Sequence, residues 1–169
     1  MQVPSVRRNE LPMTLVEVFP PDLWILELAA RDKKGAIKEM LQHLVDGGHL
    51  RSDAAKKAEK AIQKRENQGS TAIGKGLAIP HAKGCTFVKD VVGVFARSRE
   101  GLPFDAVDGG LAHVLFLILS PAEMASQHVQ LMRHVAKLHM DEKTLRFLAK
   151  SETFDNLQDI FKEVDDHFS

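Results

Sequence analysis

From Lys33 onward the apolar positions fall at Ile37, Met40, Leu41, Leu44 and Val45. That three- and four-residue spacing predicts one face of a helix, and Gly47-Gly48 closes it. Ser52 is a candidate cap for a second helix, whose narrow stripe is Ala54, Ala55, Ala58, Ala61 and Ile62. Gly69 stands where a C-terminal glycine belongs. Upstream, "TLVEVF" from Thr14 and "LWILEL" from Leu23 read as strands. The middle changes character. Val91 to Ala96 and Ala112 to Leu119 are continuous apolar runs, the pattern of buried strands, joined by the turn-rich "REGLPFDAVDGG". After Pro121 helical spacing returns, with His128, Leu131, Met132 and Val135 on one face. Two short helices follow, Glu142 to Lys150 and Thr153 to Val164. Helices around a central set of strands predict an α/β layered domain. Residues 1–12 read as a loose N-terminal arm and residues 13–169 as the domain.

Composition narrows this picture. At 169 residues the chain suits one domain that buries roughly 70% of its unfolded surface. Lys plus Arg equals Asp plus Glu, so the net charge is zero. That argues against a nucleic-acid or membrane-surface partner, both of which favour a basic excess. Cys85 is the only cysteine, so neither an intramolecular disulfide nor a cysteine zinc site is available. "VLFLIL", Val114 to Leu119, is too short to span a bilayer, and no apolar stretch backs the charged N-terminus as in a signal peptide. A soluble cytoplasmic protein is expected.

The stretch "GKGLAIPHAKG", residues 74–84, carries the candidate chemistry. Gly69-Ser-Thr-Ala-Ile-Gly74-Lys75 matches the first seven positions of a nucleotide-binding P-loop. The eighth, where Ser or Thr holds magnesium, is Gly76, and a helix rather than a strand precedes the glycines. The more productive focus is His81. A turn histidine needs no chemistry to explain it, but the neighbours here are suited to an oxyanion. Gly74, Gly76 and Gly84 allow close backbone approach. Ser70 and Thr71 offer hydroxyl donors. Arg65 lies in the last turn of the preceding helix, where a cation also suits the helix end. His128 sits on the inward face of its own helix, either as a core histidine held by a carbonyl or as a partner of His81.

"RENQGSTAIGKGLAIPHAKG" resembles the active-site segment of the fructose/mannitol-type (type 2) enzyme IIA domains of the bacterial phosphoenolpyruvate-dependent sugar phosphotransferase system. "LPFDAVDGG" and "ASQHVQLMRHVAKL" resemble that family's later landmarks, and the likeness covers about residues 13 to 165. The resemblance implies a mixed β-sheet with helices on both sides. It implies that His81 accepts a phosphoryl group from the phosphocarrier HPr, with Arg65 and His128 in supporting roles. An enzyme IIB of a sugar transporter, or a protein regulated by the phosphorylation state, would be the next partner. Within the family, "FDAVDG" and the expected lack of a fused transporter or HPr segment look closest to the nitrogen-related regulatory branch.

The chemistry needs a neutral imidazole, and an unperturbed pKa near 6.5 supplies one at cytoplasmic pH. One ring nitrogen attacks phosphorus while the other donates its N–H to a fixed acceptor, expected to be a backbone carbonyl; the family implies Nε2 as the attacking atom. Transfer is then positioning and electrostatics, with no metal and no cofactor required. Ser70, Thr71, Gly74 and Gly76 are the expected phosphate ligands. The alternative is a regulatory binding module on the same fold, in which no phosphate moves. A Cys85–His81 nucleophile lacks an orienting third group. His128, His134 and His139 do not share the i, i+4 spacing of helix-borne metal ligands.

Overall fold

A computed structural model describes residues 13–168; the arm expected over residues 1–12 lies outside the described residues. Six strands form one mixed sheet in the order β1 (Trp24–Ile25), β5 (Val92–Leu102), β6 (Ala112–Leu119), β3 (Leu77–Ala78), β2 (Ala72–Gly74), and β4 (His81–Ala82) also pairs with β6. β5 and β6 run antiparallel, whereas β1 is parallel to β5, and β3 and β4 are parallel to β6.

The apolar run of β6 is explained by burial on both faces. Leu115, Leu117 and Leu119 point to one core, with Ile37, Met40 and Leu44 of α2 (Lys33–Asp46) and Ala58 and Ile62 of α3 (Ser52–Glu66). Val114, Phe116 and Ile118 point to the other. There they meet α1 (Leu15–Val18), α4 (Ala125–Lys137), α5 (Glu142–Lys150) and α6 (Phe154–Phe168). The layered α/β architecture with helices on both sides is therefore present.

Three local expectations are corrected. "TLVEVF" is helical. Leu15, Val18 and Phe19 are buried at i, i+3, i+4 spacing, and Thr14 caps the turn by accepting from Glu17 N. Asp165 of α6 accepts from the N–H groups of Leu15 and Val16, at 2.7 and 3.0 Å. α1 also explains Gly93, because a Cβ there would stand 2.4 Å from Phe19 and 2.9 Å from the Leu117 carbonyl. "LWILEL" supplies only the two residues of β1. Ser52 is the first residue inside α3 rather than its cap, which is Arg51, and the helix ends at Glu66 with Asn67 as its C-cap.

Candidate functional site

β4 carries His81 at the C-terminal end of β6, with His81 opposite Ile118. β3 and β4 read as one strand interrupted at Pro80. Proline has no N–H for the ladder, but its carbonyl still accepts from Ile118 N at 3.0 Å. The ring is half-buried, and its Nδ1 lies 2.7 Å from the carbonyl of Ile79. A carbonyl only accepts, so Nδ1 carries the proton and Nε2 keeps its lone pair. Burial holds His81 below the ordinary imidazole value. The Arg65 charge pushes the same way, against the Ile79 hydrogen bond and the Glu66 charge.

His128, on α4, stands beside it with ring centroids 5.5 Å apart. Its Nδ1 is 2.7 Å from Ser120 Oγ. Burial, then the charges of His81 and Lys83, pushes its pKa down to about 4. Both rings are thus neutral at pH 7. Arg65, from the last turn of α3, donates from Nη1 to the Gly69 carbonyl at 2.9 Å. These three residues line one groove of about 850 Å³, with Lys64, Lys83 and Val129 also on its walls and no carboxylate among its lining residues.

The other four expected ligands are not aimed at that groove. Ser70 Oγ donates to the Phe104 carbonyl and accepts from Ala72 N at 3.1 Å. Thr71 Oγ1 donates to Glu66, which also accepts from Thr71 N. Gly74 and Gly76 sit with Lys75 in the turn between β2 and β3, at the opposite end of the ladder. Gly74, Lys75 and Gly76 have positive φ, 99°, 56° and 81° respectively. Gly74 packs against Asp108 and Gly76 against His113. The glycines make the tight turn possible instead of cradling an anion.

Glu66 was not a candidate on sequence. It is a carboxylate only 5% exposed, paired with Lys33 Nζ at 3.0 Å. Lys33 also reaches Asp105 at 3.1 Å and lies 4.9 Å from the centre of the Phe104 ring. Through Thr71, whose carbonyl accepts from Ile79 N, Glu66 braces the segment whose next carbonyl holds His81. The Arg-Glu pair and the Ser-Thr five residues on were its visible signal. Cys85 is buried, its Sγ 3.5 Å from the Ala82 carbonyl, and burial pushes its thiol up, away from nucleophilic use.

The family model for the phosphoenolpyruvate-dependent sugar phosphotransferase system, EIIA 2, matches residues 17–164. The chain belongs to this family. A fructose-specific EIIA component of Haloferax volcanii is 37% identical over 147 residues, covering 87% of this chain and 94% of that protein. The crystal structure of the nitrogen regulatory protein IIA-Ntr from Neisseria meningitidis superposes with a TM-score of 0.76 at 26% identity, covering 87% of this chain and 98% of that one. Enzyme IIA-Mtl of Escherichia coli, in its complex with phosphorylated enzyme IIB-Mtl, shares the fold, with a TM-score of 0.72 at 21% identity over 86% of this chain and 99% of that one. The EIIA relatives therefore include both sugar-specific and nitrogen-regulatory proteins. Among the described residues no helix is long and apolar enough to cross a membrane.

Proposed function

We propose that this EIIA domain is a cytoplasmic phosphoryl carrier that accepts phosphate on His81 from phospho-HPr. It passes the group to an enzyme IIB, or exerts control through its phosphorylation state. The observation that carries this reading is the Nδ1–H bond to the Ile79 carbonyl, which leaves Nε2 as the nucleophile in a cationic groove. As Nε2 bonds to phosphorus, the bond from phosphorus to the donor's leaving atom breaks, and Nδ1 keeps its proton throughout. The phosphorylated ring gains formal positive charge. The Ile79 carbonyl and the phosphoryl oxygens, with roughly two negative charges, stabilise it. Arg65 and Lys83 lie on the walls where those oxygens would be received. One arginine, itself engaged with Gly69, is a modest clamp, and a carrier must release what it accepts. The complex named for the Escherichia coli mannitol relative supports an enzyme IIB as acceptor.

The test is transfer of labelled phosphate from phosphoenolpyruvate through enzyme I and HPr to this chain. Acid-labile label on the native chain, absent from a folded His81→Ala variant, is the expected result. An unlabelled native chain with its cognate HPr would defeat the reading in favour of a binding module.

A further inference from the structure

Ser120 follows β6 directly and is fully buried. Its N–H donates to the Ala82 carbonyl at 3.1 Å, and its carbonyl accepts from Cys85 N at 2.9 Å. Its backbone is thus bound on both sides to the segment just after His81, and its hydroxyl is held in place. The partner of that hydroxyl among the described residues is His128 Nδ1, at 2.7 Å.

Two proton placements satisfy this distance. Either the hydroxyl donates to a bare Nδ1, or a protonated Nδ1 donates to the hydroxyl oxygen. In the second case the buried O–H has no acceptor, an arrangement that buried polar groups avoid. The first case satisfies both groups. We propose that Ser120 is a positioning residue: by donating to Nδ1 it fixes His128 in the tautomer with its proton on Nε2, a neutral donor for a phosphoryl oxygen in the groove.

The low pKa of His128 supports this independently, because a neutral ring holds a single N–H to assign. His81 is set the opposite way. Its Nδ1 faces a carbonyl, which only accepts, so its Nε2 bears a lone pair. A backbone carbonyl makes one ring the nucleophile, and a serine hydroxyl makes its neighbour the donor. An uncharged donor at this position stabilises the transferring group without holding it as an imidazolium would, which suits reversible transfer. The role given to the His128 N–H rests on the carrier reading above; the tautomer itself does not.

The experiment is long-range 1H–15N correlation on the histidine-labelled, unphosphorylated chain at pH 7, with peaks assigned through His81→Gln and His128→Gln. The expected native spectrum shows His81 protonated on Nδ1 and His128 on Nε2. Ser120→Ala should shift His128 toward the Nδ1–H form and leave His81 unchanged. Phosphorylation of His81 should slow roughly tenfold, part of the loss expected when such a donor is removed outright. Ser120→Thr, which keeps the hydroxyl, should restore both. His128 protonated on Nδ1 in the native chain overturns the proposal, as does an unchanged His128 tautomer in folded Ser120→Ala. The native spectrum needs no phosphate donor. The predicted tautomers with no transfer would defeat the carrier reading alone, and transfer with the wrong tautomer would defeat this inference alone.

Discussion

Residues 74–84 reach both ends of one strand ladder, and the ends differ in kind. Leu77 faces Val114 and His81 faces Ile118, a separation of four residues or roughly 13 Å along β6. At the hairpin end, charges are matched locally. Lys75 Nζ pairs with Glu142 at 3.2 Å, and its backbone N–H donates to Asp108 at 3.0 Å. At the His81 end, Arg65, Lys64 and Lys83 line a groove with no carboxylate on its walls. In the first arrangement Lys75 has carboxylate partners for both its side chain and its backbone N–H. The second presents cations that no carboxylate on the groove wall offsets. Glycines and a histidine adjacent in sequence therefore do unrelated work, because an extended chain separates them faster than the sequence spacing suggests.

Substitutions at the two ends should separate in the same way. The largest effect is expected for Glu66→Ala, which leaves Lys33 facing no buried carboxylate and strips Thr71 of its acceptor. Chemical denaturation should show a loss of about 3 kcal/mol. Transfer to His81 should slow as well, because the Thr71–Ile79 connection that braces the ring is loosened. Lost stability with an unaltered transfer rate would remove Glu66 from the site and make it only a core pair.

Acid sensitivity should come next. The folded His128 pKa of about 4 lies below the ordinary 6.5. Between those values the unfolded chain binds a proton that the folded chain refuses. The contribution of His128 to stability is therefore fully present above pH 6.5 and lost as pH falls toward 4. Thermal unfolding across that window should show a shallower decline in His128→Gln than in the native chain. An identical pH slope in the two proteins would contradict the assigned burial of the ring.

The smallest effect belongs to the hairpin. Gly76→Ala places a side chain at φ 81° with its Cβ 3.3 Å from His113. It should cost about 1–2 kcal/mol of stability and leave the phosphoryl-transfer rate unchanged. A slowed rate in that variant would join the two ends and break the comparison.

These contrasts also show what the sequence made legible. β6 coincides with the apolar run from Ala112 to Leu119, and α5 with Glu142 to Lys150, because burial on both faces or along one stripe writes itself into hydropathy. α1 was hidden because four helical residues leave too little sequence to separate a period of 3.6 from alternation. β5 runs on to Leu102 through Arg97, a buried arginine that reads as surface. Its guanidinium donates to the carbonyls of Leu26, Leu148 and Ser151, contacts that no local pattern encodes. The same limit applies at the site. The motif singles out His81, Arg65 and His128, and the structure gathers those three around one groove. The hydroxyls of Ser70 and Thr71 turn away from that groove because their direction is fixed by the Phe104 carbonyl, 34 residues away, and by the buried Glu66 carboxylate, which no local pattern encodes.

The measurement that tests the central claim most directly is 31P and 15N NMR of the native chain after phosphorylation by phosphoenolpyruvate, enzyme I and HPr. The geometry at Ile79 predicts a single phosphoryl group on Nε2 of His81, with Nδ1 still protonated. A phosphoryl group on Nδ1, or on any residue other than His81, would contradict the account.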